Sequence, residues 1–253
     1  MTAALHWGPV AAGVRSAVNL LYPPACPWCR AEGLDPAETA ATGLCRECRV
    51  SLIPNTGDWC PRCAAPVGPY AVLEQGCRHC QKEKYRFRSA VALGHYSGDL
   101  TAAIVAGKGA QGESLTLALT EELLAVRRDW FQRTPVDIVI PVPHHWTRRL
   151  ASGHLASETM AHRLARRLNH PCWQDAVAKL RWTPRQKDRS ATERRTGLRH
   201  AFAATGRPLA GKRVLLVDDV MTTGGTAQAV SRALLRGGAA EIHVAVLARS
   251  VTS

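Results

Sequence analysis

The chain has 253 residues, of which 46% are hydrophobic, so it is long enough for one α/β domain with its own core and a smaller module beside it. Its formal net charge of +13 favours polyanionic partners, such as nucleic acids or phosphorylated substrates. No apolar run approaches the ~18 residues that a membrane span requires, so we expect a soluble, cytoplasmic protein with no membrane span.

The N-terminal segment, residues 1–22, is predicted to form an amphipathic helix. Its mildly apolar stretch between Gly8 and Leu21 is interrupted by Arg15 and Asn19, and no small-residue cleavage site follows. These features favour a helix over a signal peptide.

Eight of the nine cysteines form four CxxC pairs in the next segment, residues 23–84. Fifteen residues separate the first two pairs and thirteen separate the last two, close to the spacing of zinc ribbons. Two such pairs supply the thiolates of a closed tetrahedral zinc site, which stabilises a fold and leaves no position for a reacting water. We therefore predict a double zinc-ribbon module with two structural zinc ions. The predicted ligands are Cys26, Cys29, Cys45, Cys48, Cys60, Cys63, Cys77 and Cys80.

The sequence leaves the pairing of these cysteines open. We expect consecutive CxxC pairs to share one ion, although an interleaved arrangement, with Cys26 and Cys29 beside Cys60 and Cys63, fits the spacing too. A redox-active CxxC pair is less consistent with the sequence, because no thioredoxin-like βαβ pattern surrounds any pair. The ninth cysteine, Cys172, is predicted to be a small buried hydrophobic residue.

From residue 85 onwards, segments with strand patterns alternate with segments of helical periodicity. Strands are predicted at 88–93, 136–142, 214–217 and 242–247, and helices at 113–130, at 156–168 and directly after residue 226. This alternation is typical of a mostly parallel sheet with helices on both faces. We therefore predict an α/β domain over residues 85–253.

The most informative pattern lies at 214–226, where a buried strand leads into two acids and a glycine-rich turn. Asp218 and Asp219 are expected to emerge at the carboxyl end of the strand, where open α/β sheets bind their ligands. Adjacent carboxylates can accept hydrogen bonds from vicinal hydroxyls or share a Mg²⁺ ion with a phosphorylated substrate. The turn offers hydroxyls and unhindered N–H groups, and the N-terminus of the following helix points at it. The turn consists of Thr222, Thr223, Gly224, Gly225 and Thr226.

This turn is predicted to cradle the phosphate of a sugar phosphate. It matches neither a Walker A loop nor the GxGxxG fingerprint of dinucleotide-binding proteins. Instead, the segment resembles the phosphoribosyl-diphosphate signature of type I phosphoribosyltransferases. The alternative is an acidic turn that only caps a helix.

Beyond this signature, the chain resembles the ComF family of competence-associated phosphoribosyltransferase-like proteins, and their GntX relatives, over nearly all of its length. The resemblance is carried by Leu-Leu-Tyr-Pro-Pro at 20–24, the paired CxxC knuckles, Tyr96 and Gly98 before Lys108, Pro-Val-Pro at 141–143 with Arg148 and Arg149, the 183–186 segment and the signature itself. It implies a type I phosphoribosyltransferase-like fold that binds 5-phosphoribosyl 1-diphosphate (PRPP) with Mg²⁺. It also implies a link to DNA uptake.

The resemblance implies roles for several residues. The turn at 222–226 would anchor the 5′-phosphate, and Asp218 and Asp219 would hold the ribose hydroxyls or orient the metal. The loop after the 136–142 strand would contact diphosphate, which makes His144, His145, Arg148 and Arg149 candidates; a solvated basic turn is the alternative. This sequence departs from the family at 153–156, where Gly-His-Leu-Ala replaces Gly-Phe-Asn-Gln, and at 195–197, where Arg-Thr-Gly replaces Arg-x-Asn.

A second basic segment, residues 181–199, contains the candidate catalytic residues Arg181, Arg194 and Arg195. Such a loop could close over diphosphate and neutralise the leaving group. It could equally follow a nucleic-acid backbone or be a solvated loop.

The expected function is therefore PRPP binding, with transfer of the phosphoribosyl group to an unidentified acceptor, which is glycosyltransferase chemistry. The alternative is a non-catalytic nucleotide sensor, or a protein of DNA uptake that holds single-stranded DNA. A further alternative is that the zinc module docks other DNA-uptake proteins.

Overall fold

A computed structural model describes residues 25–34, 42–53, 57–68, 70–71, 76–83, 85–109, 112–143, 155–180 and 201–251. The expected helix at 1–22 and the basic segments at 144–150 and 181–199 lie outside the described residues. None of the helices in the described ranges is both long and apolar enough to span a bilayer.

Two short helices lie in the cysteine-rich part of the chain, α1 (Arg46–Leu52) and α2 (Arg78–Glu83). In the remaining described residues, strands and helices follow one another along the chain. They are β1 (Ser89–His95), α3 (Gly98–Ala106), α4 (Glu113–Val126), α5 (Arg128–Arg133), β2 (Ile138–Pro141), α6 (Ala156–Leu168), β3 (Val177–Lys179), β4 (Phe202–Ala204), β5 (Arg213–Met221), α7 (Gly225–Arg236) and β6 (Glu241–Arg249).

The central sheet has the strand order β1-β6-β5-β2, and each neighbouring pair in it is parallel. Strand β5 is interior, and Val214, Leu215, Leu216 and Val217 are fully buried, as expected for a strand covered on both faces. The predicted fold class, a mostly parallel sheet flanked by helices, is therefore confirmed. Strands β3 and β4, which the sequence did not predict, form a separate antiparallel pair beside α7.

Successive residues of β5 point to opposite faces of the sheet and enter two different apolar cores. Val214 and Leu216 pack in a core with α7, β3, β4 and the last four of the eight CxxC cysteines. Leu215 and Val217 pack in a core with α1, α3, α4, α6 and three of the first four. The two cysteine groups therefore cover opposite faces of one sheet.

Most predicted boundaries shift by one or two residues, and two element ends differ from the prediction by four. The helix expected at 113–130 ends at Val126, because Arg127 leaves the helical conformation and its Nε donates to the carbonyl of Ala92 on β1 (2.9 Å). Strand β5 continues to Met221, because β6 extends the ladder on one side as far as Arg249. Cys172, expected to be buried, is partly exposed and packs against the core.

Candidate functional site

The two acids lie in the last part of β5, where the strand is paired on one side only. The ladder with β2 ends at Val217, while the ladder with β6 continues past Asp218. The acids therefore lie inside the strand and not beyond its end, which corrects the sequence-based expectation. Their side chains are free of β2 at the carboxyl edge of the sheet, which is where parallel sheets bind ligands.

Asp218 and Asp219 differ in environment. Asp218 is about 9% exposed and accepts a hydrogen bond from the N–H of Asp219 (2.9 Å), while Asp219 accepts one from the N–H of Val220 (2.7 Å). Burial, and then the charge of Asp219, raise the pKa of Asp218 well above its usual range. The edge thus holds a buried acid, whose charged form is disfavoured, beside the somewhat more exposed Asp219.

A lysine that follows the helix after the edge strand β1 reaches this acid pair. Lys108 follows α3, and its Nζ lies 2.6 Å from Oδ2 of Asp219. The ammonium also lowers the pKa of Asp218, although this effect is smaller than the effects of burial and Asp219. In the sequence, Lys108 carries part of the family resemblance but has no predicted role. Only the folded chain brings it to the site, because α3 follows β1, two strands away from β5 in the sheet.

The residues at 222–226, which we call the phosphate loop, join β5 to α7. Thr222 and Thr223 are exposed, and the Thr223 hydroxyl accepts a hydrogen bond from the N–H of Gly225 (3.4 Å). Gly224 precedes the first residue of α7 and has a φ of 76°, a conformation that side chains with a Cβ rarely adopt. The first N–H groups of the helix have no carbonyl partners within it and carry partial positive charge, so they can bind an anion.

Tyr85 packs against the phosphate loop. Its hydroxyl donates to the carbonyl of Thr223 (3.1 Å), and a Cβ added to Gly224 would lie 2.8 Å from its ring. The ring also stacks on Phe87, with centroids 4.6 Å apart. The tyrosine is 5% exposed, and burial raises the pKa of its hydroxyl.

A buried arginine at the end of β6 completes the support. Arg249 is 1% exposed, and its Nη1 donates to the carbonyl of Met221 (3.0 Å), where the loop leaves β5. Its Nη2 lies 3.4 Å from the hydroxyl of Tyr85, and its Nε donates to the carbonyl of Cys63 (3.1 Å). Neither Tyr85 nor Arg249 was singled out in the sequence, because no local pattern marks them.

The eight CxxC cysteines gather into two groups of four. Cys26, Cys29, Cys45 and Cys48 form the first centre, and Cys60, Cys63, Cys77 and Cys80 form the second centre. Within each centre, the four sulfur atoms lie within 4.8 Å of one another, which confirms consecutive pairing.

The geometry of both centres fits tetrahedral zinc. With Zn–S bonds of about 2.3 Å, tetrahedral ligands lie about 3.8 Å apart. The Cys29–Cys45 sulfur distance is 3.8 Å, and the Cys60–Cys80 and Cys63–Cys77 distances are 3.6 and 3.5 Å. These distances are too long for disulfide bonds, and all four thiolates at each centre are available, so the two centres suit closed structural sites.

Each centre is attached to the sheet domain by an arginine. Arg49 of α1, beside the first centre, contacts the buried Glu122 of α4 through Nε (3.0 Å). Arg249 of β6 contacts the backbone of the second centre, as described above. Arg249 also contacts Met221, directly before the phosphate loop, and Tyr85, which contacts Thr223 inside it.

Comparison with known proteins explains this combination. A model of the phosphoribosyl transferase domain matches residues 156–252, and a model of the double zinc ribbon domain matches residues 17–82. Competence protein F of Haemophilus influenzae is 31% identical over 216 residues, covering 83% of this chain and 92% of that protein. The chain belongs to the ComF family.

Other relatives and solved structures resemble this ComF chain. The DNA utilization protein YhgH of Salmonella typhi is 29% identical over 248 residues, covering 92% of this chain and 100% of the relative. The glutamine PRPP amidotransferase of B. subtilis, solved in complex with ADP and GMP, is 24% identical with a TM-score of 0.36, covering 54% of this chain and 27% of the enzyme.

The described residues bring together the acids and the phosphate loop that the sequence predicted. They add Lys108, Tyr85 and Arg249. The remaining candidates, His144, His145, Arg148 and Arg149 in one segment and Arg181, Arg194 and Arg195 in the other, lie outside the described residues.

Proposed function

We propose that this ComF protein binds PRPP with Mg²⁺ at the phosphate loop and transfers its phosphoribosyl group to an acceptor. The observation that carries the proposal is the acid pair at the carboxyl edge of β5, directly before a loop with a helix N-terminus behind it. A phosphoribosyl group needs both parts, because its phosphate is an anion and its ribose presents vicinal hydroxyls.

The acid pair fits the ribose and the metal. Carboxylate oxygens are hard ligands of the kind that Mg²⁺ takes, together with phosphate oxygens of the substrate. Lys108 holds Asp219 in the ligand-free chain, so ligand binding at Asp219 would compete with this ion pair. A cation or hydroxyl donor at Asp218 would favour its ionised form and oppose the rise of its pKa.

In the proposed transfer, the bond between the anomeric carbon and the diphosphate oxygen breaks, and a bond from the acceptor forms. The leaving diphosphate takes the bonding electrons, so negative charge grows on it while positive charge grows on the sugar. Mg²⁺ would neutralise part of the diphosphate charge. We propose that the basic segments neutralise the rest, through His144, Arg148 and Arg149 and through Arg181, Arg194 and Arg195.

A thermal shift assay tests the binding step. PRPP with Mg²⁺ should raise the Tm of the protein, and the double substitution Asp218→Asn with Asp219→Asn should remove this shift. The surface substitution Asp58→Asn is the matched control and should keep it. No shift in the unsubstituted protein would refute the proposal.

Diphosphate release in the presence of candidate acceptor bases and amines tests the transfer step. Release that depends on one acceptor and on Asp218 and Asp219 would support transfer. PRPP binding without release in any combination would favour a sensor.

The names of the relatives favour a second function for the same chain, in DNA uptake. Relatives are named competence protein F and DNA utilization protein, and the net charge of +13 suits a nucleic-acid partner. We propose that the protein holds single-stranded DNA and contacts DNA-uptake proteins in the cytoplasm. The affinity for single-stranded DNA should fall steeply as salt rises, and a salt-independent affinity would contradict this role.

This proposal assigns separate tasks to three parts of the chain. Residues 85–253 would bind PRPP, residues 23–84 would form the zinc module, and residues 1–22 would add a helix. Expressing residues 85–253 alone tests how far the zinc module supports the sheet domain: both core faces that the cysteine groups cover would be exposed, so the fragment should aggregate or unfold.

A further inference from the structure

The second centre and the phosphate loop are joined by two buried side chains. Arg249 donates to Cys63 in the centre and to Met221 at the start of the loop. Tyr85 donates to Thr223 inside the loop and lies within 3.4 Å of Arg249. The connection runs from a cysteine ligand to the loop through direct contacts alone.

These contacts hold the backbone of the loop and not its side chains. The carbonyls of Met221 and Thr223 are the acceptors, so the hydrogen bonds fix the orientation of the 221–222 and 223–224 peptide groups. The tyrosine ring fills the space beside Gly224. A loop that binds phosphate through its backbone N–H groups depends on this orientation, because the N–H groups must converge on one point.

Arg249 in turn depends on the second centre. Its donors are directed to carbonyl and hydroxyl oxygens. One of those oxygens belongs to Cys63, whose backbone lies in a tight turn with Ala64 donating to the carbonyl of Cys60 (2.8 Å). Metal binding at the thiolates of Cys60 and Cys63 would hold this turn.

We propose that Arg249 and Tyr85 are positioning residues that couple the second centre to the phosphate loop, so that metal loss there weakens sugar-phosphate binding while metal loss at the first centre leaves the loop in place. The predicted effect on sugar-phosphate binding rests on the proposed function. The predicted effect on the order of the phosphate loop does not depend on it.

Hydrogen exchange of the ligand-free, metal-loaded protein tests the coupling. Tyr85→Phe keeps the ring and removes only the hydroxyl, so it should accelerate exchange of the amides at 221–226 about tenfold, which is about 1.4 kcal/mol. Amides of α6 serve as an internal reference for global opening and should not change. Tyr70→Phe makes the same chemical change on a side chain that is 95% exposed and should have no effect. Equal exchange at 221–226 in Tyr85→Phe and the parent protein would overturn the proposal.

A pair of cysteine substitutions tests the role of the metal. Cys77→Ser in the second centre should accelerate exchange at 221–226 at least tenfold relative to α6, whereas Cys29→Ser in the first centre should leave this ratio unchanged. Zinc content, measured on the same samples, should fall by one ion in each variant. Equal changes of the ratio in the two variants would overturn the proposal.

The affinity for PRPP with Mg²⁺ separates this inference from the proposed function. Tyr85→Phe should weaken the affinity fivefold to tenfold without changing the zinc content. If the parent protein does not bind PRPP but the loop still responds to Tyr85→Phe, only the proposed function fails. If PRPP binds and the loop does not respond, only the coupling fails.

Discussion

The ion pair between Lys108 and Asp219 allows a quantitative prediction. The atoms lie 2.6 Å apart, so two unit charges there attract by about 1.6 kcal/mol at a dielectric constant of about 80 and by about 6 kcal/mol at about 20. The lysine side chain is 34% exposed and the aspartate side chain 14%, so screening and desolvation remove most of this attraction. We expect a net coupling of about 1 kcal/mol.

A double-mutant cycle measures this coupling. Urea unfolding of Lys108→Met, Asp219→Asn and the double variant at low salt should give an interaction energy of about 1 kcal/mol, which falls when salt is added. Lys212→Met, at an exposed position, is the control for loss of a positive charge and should not couple to Asp219→Asn. Additive effects of the Lys108 and Asp219 substitutions, within about 0.3 kcal/mol, would refute the reasoning.

Three further predictions concern the acid pair, the phosphate loop and the two cysteine centres. Burial and the Asp219 charge raise the folded pKa of Asp218, so its contribution to stability is lost as pH rises through that pKa. Asp218→Asn should therefore stabilise the ligand-free protein at pH 8 by about 0.5–2 kcal/mol. It should have little effect near pH 3, below the unfolded pKa of about 3.9, and thermal unfolding at the two pH values measures the difference. Stabilisation at both pH values would contradict this cause. Gly224→Ala should cost at least about 1–2 kcal/mol and remove the PRPP-induced Tm shift, because φ is 76° and the added Cβ would meet Tyr85; an unchanged shift would show that the loop tolerates a side chain. Elemental analysis should find two zinc ions per chain, and a metal-free protein that keeps its Tm would contradict the reading of the cysteines.

The sequence predicts those parts of the site that lie close together in the chain. The 214–226 segment indicates strand, acids, loop and helix, because each part depends on a few neighbouring residues. Each CxxC knuckle is equally local, whereas the pairing of the knuckles, which the spacing leaves open, is established by the structure. The parallel sheet follows from the alternation of strand and helix patterns.

The sequence does not predict contacts between distant parts of the chain. Arg249 reaches Cys63 and Tyr85 only because β6 lies beside β1 in the sheet, and neither residue carries a local signal. The break at Arg127 has a similar origin, since its Nε donates to the carbonyl of Ala92 on β1, a contact that the helical periodicity around it does not reveal. The strand containing Asp218 extends further than its apolar run, because pairing with β6 and not hydrophobicity determines where it ends.

Calorimetric titration of the zinc-loaded protein with PRPP in the presence of Mg²⁺ tests the central claim most directly. We predict saturable binding at about one site per chain, which disappears in the Asp218→Asn, Asp219→Asn double variant and persists in Asp58→Asn. Absence of binding to the parent protein, or equal binding to the double variant, would contradict the assignment of the phosphoribosyl site to the acids and the phosphate loop.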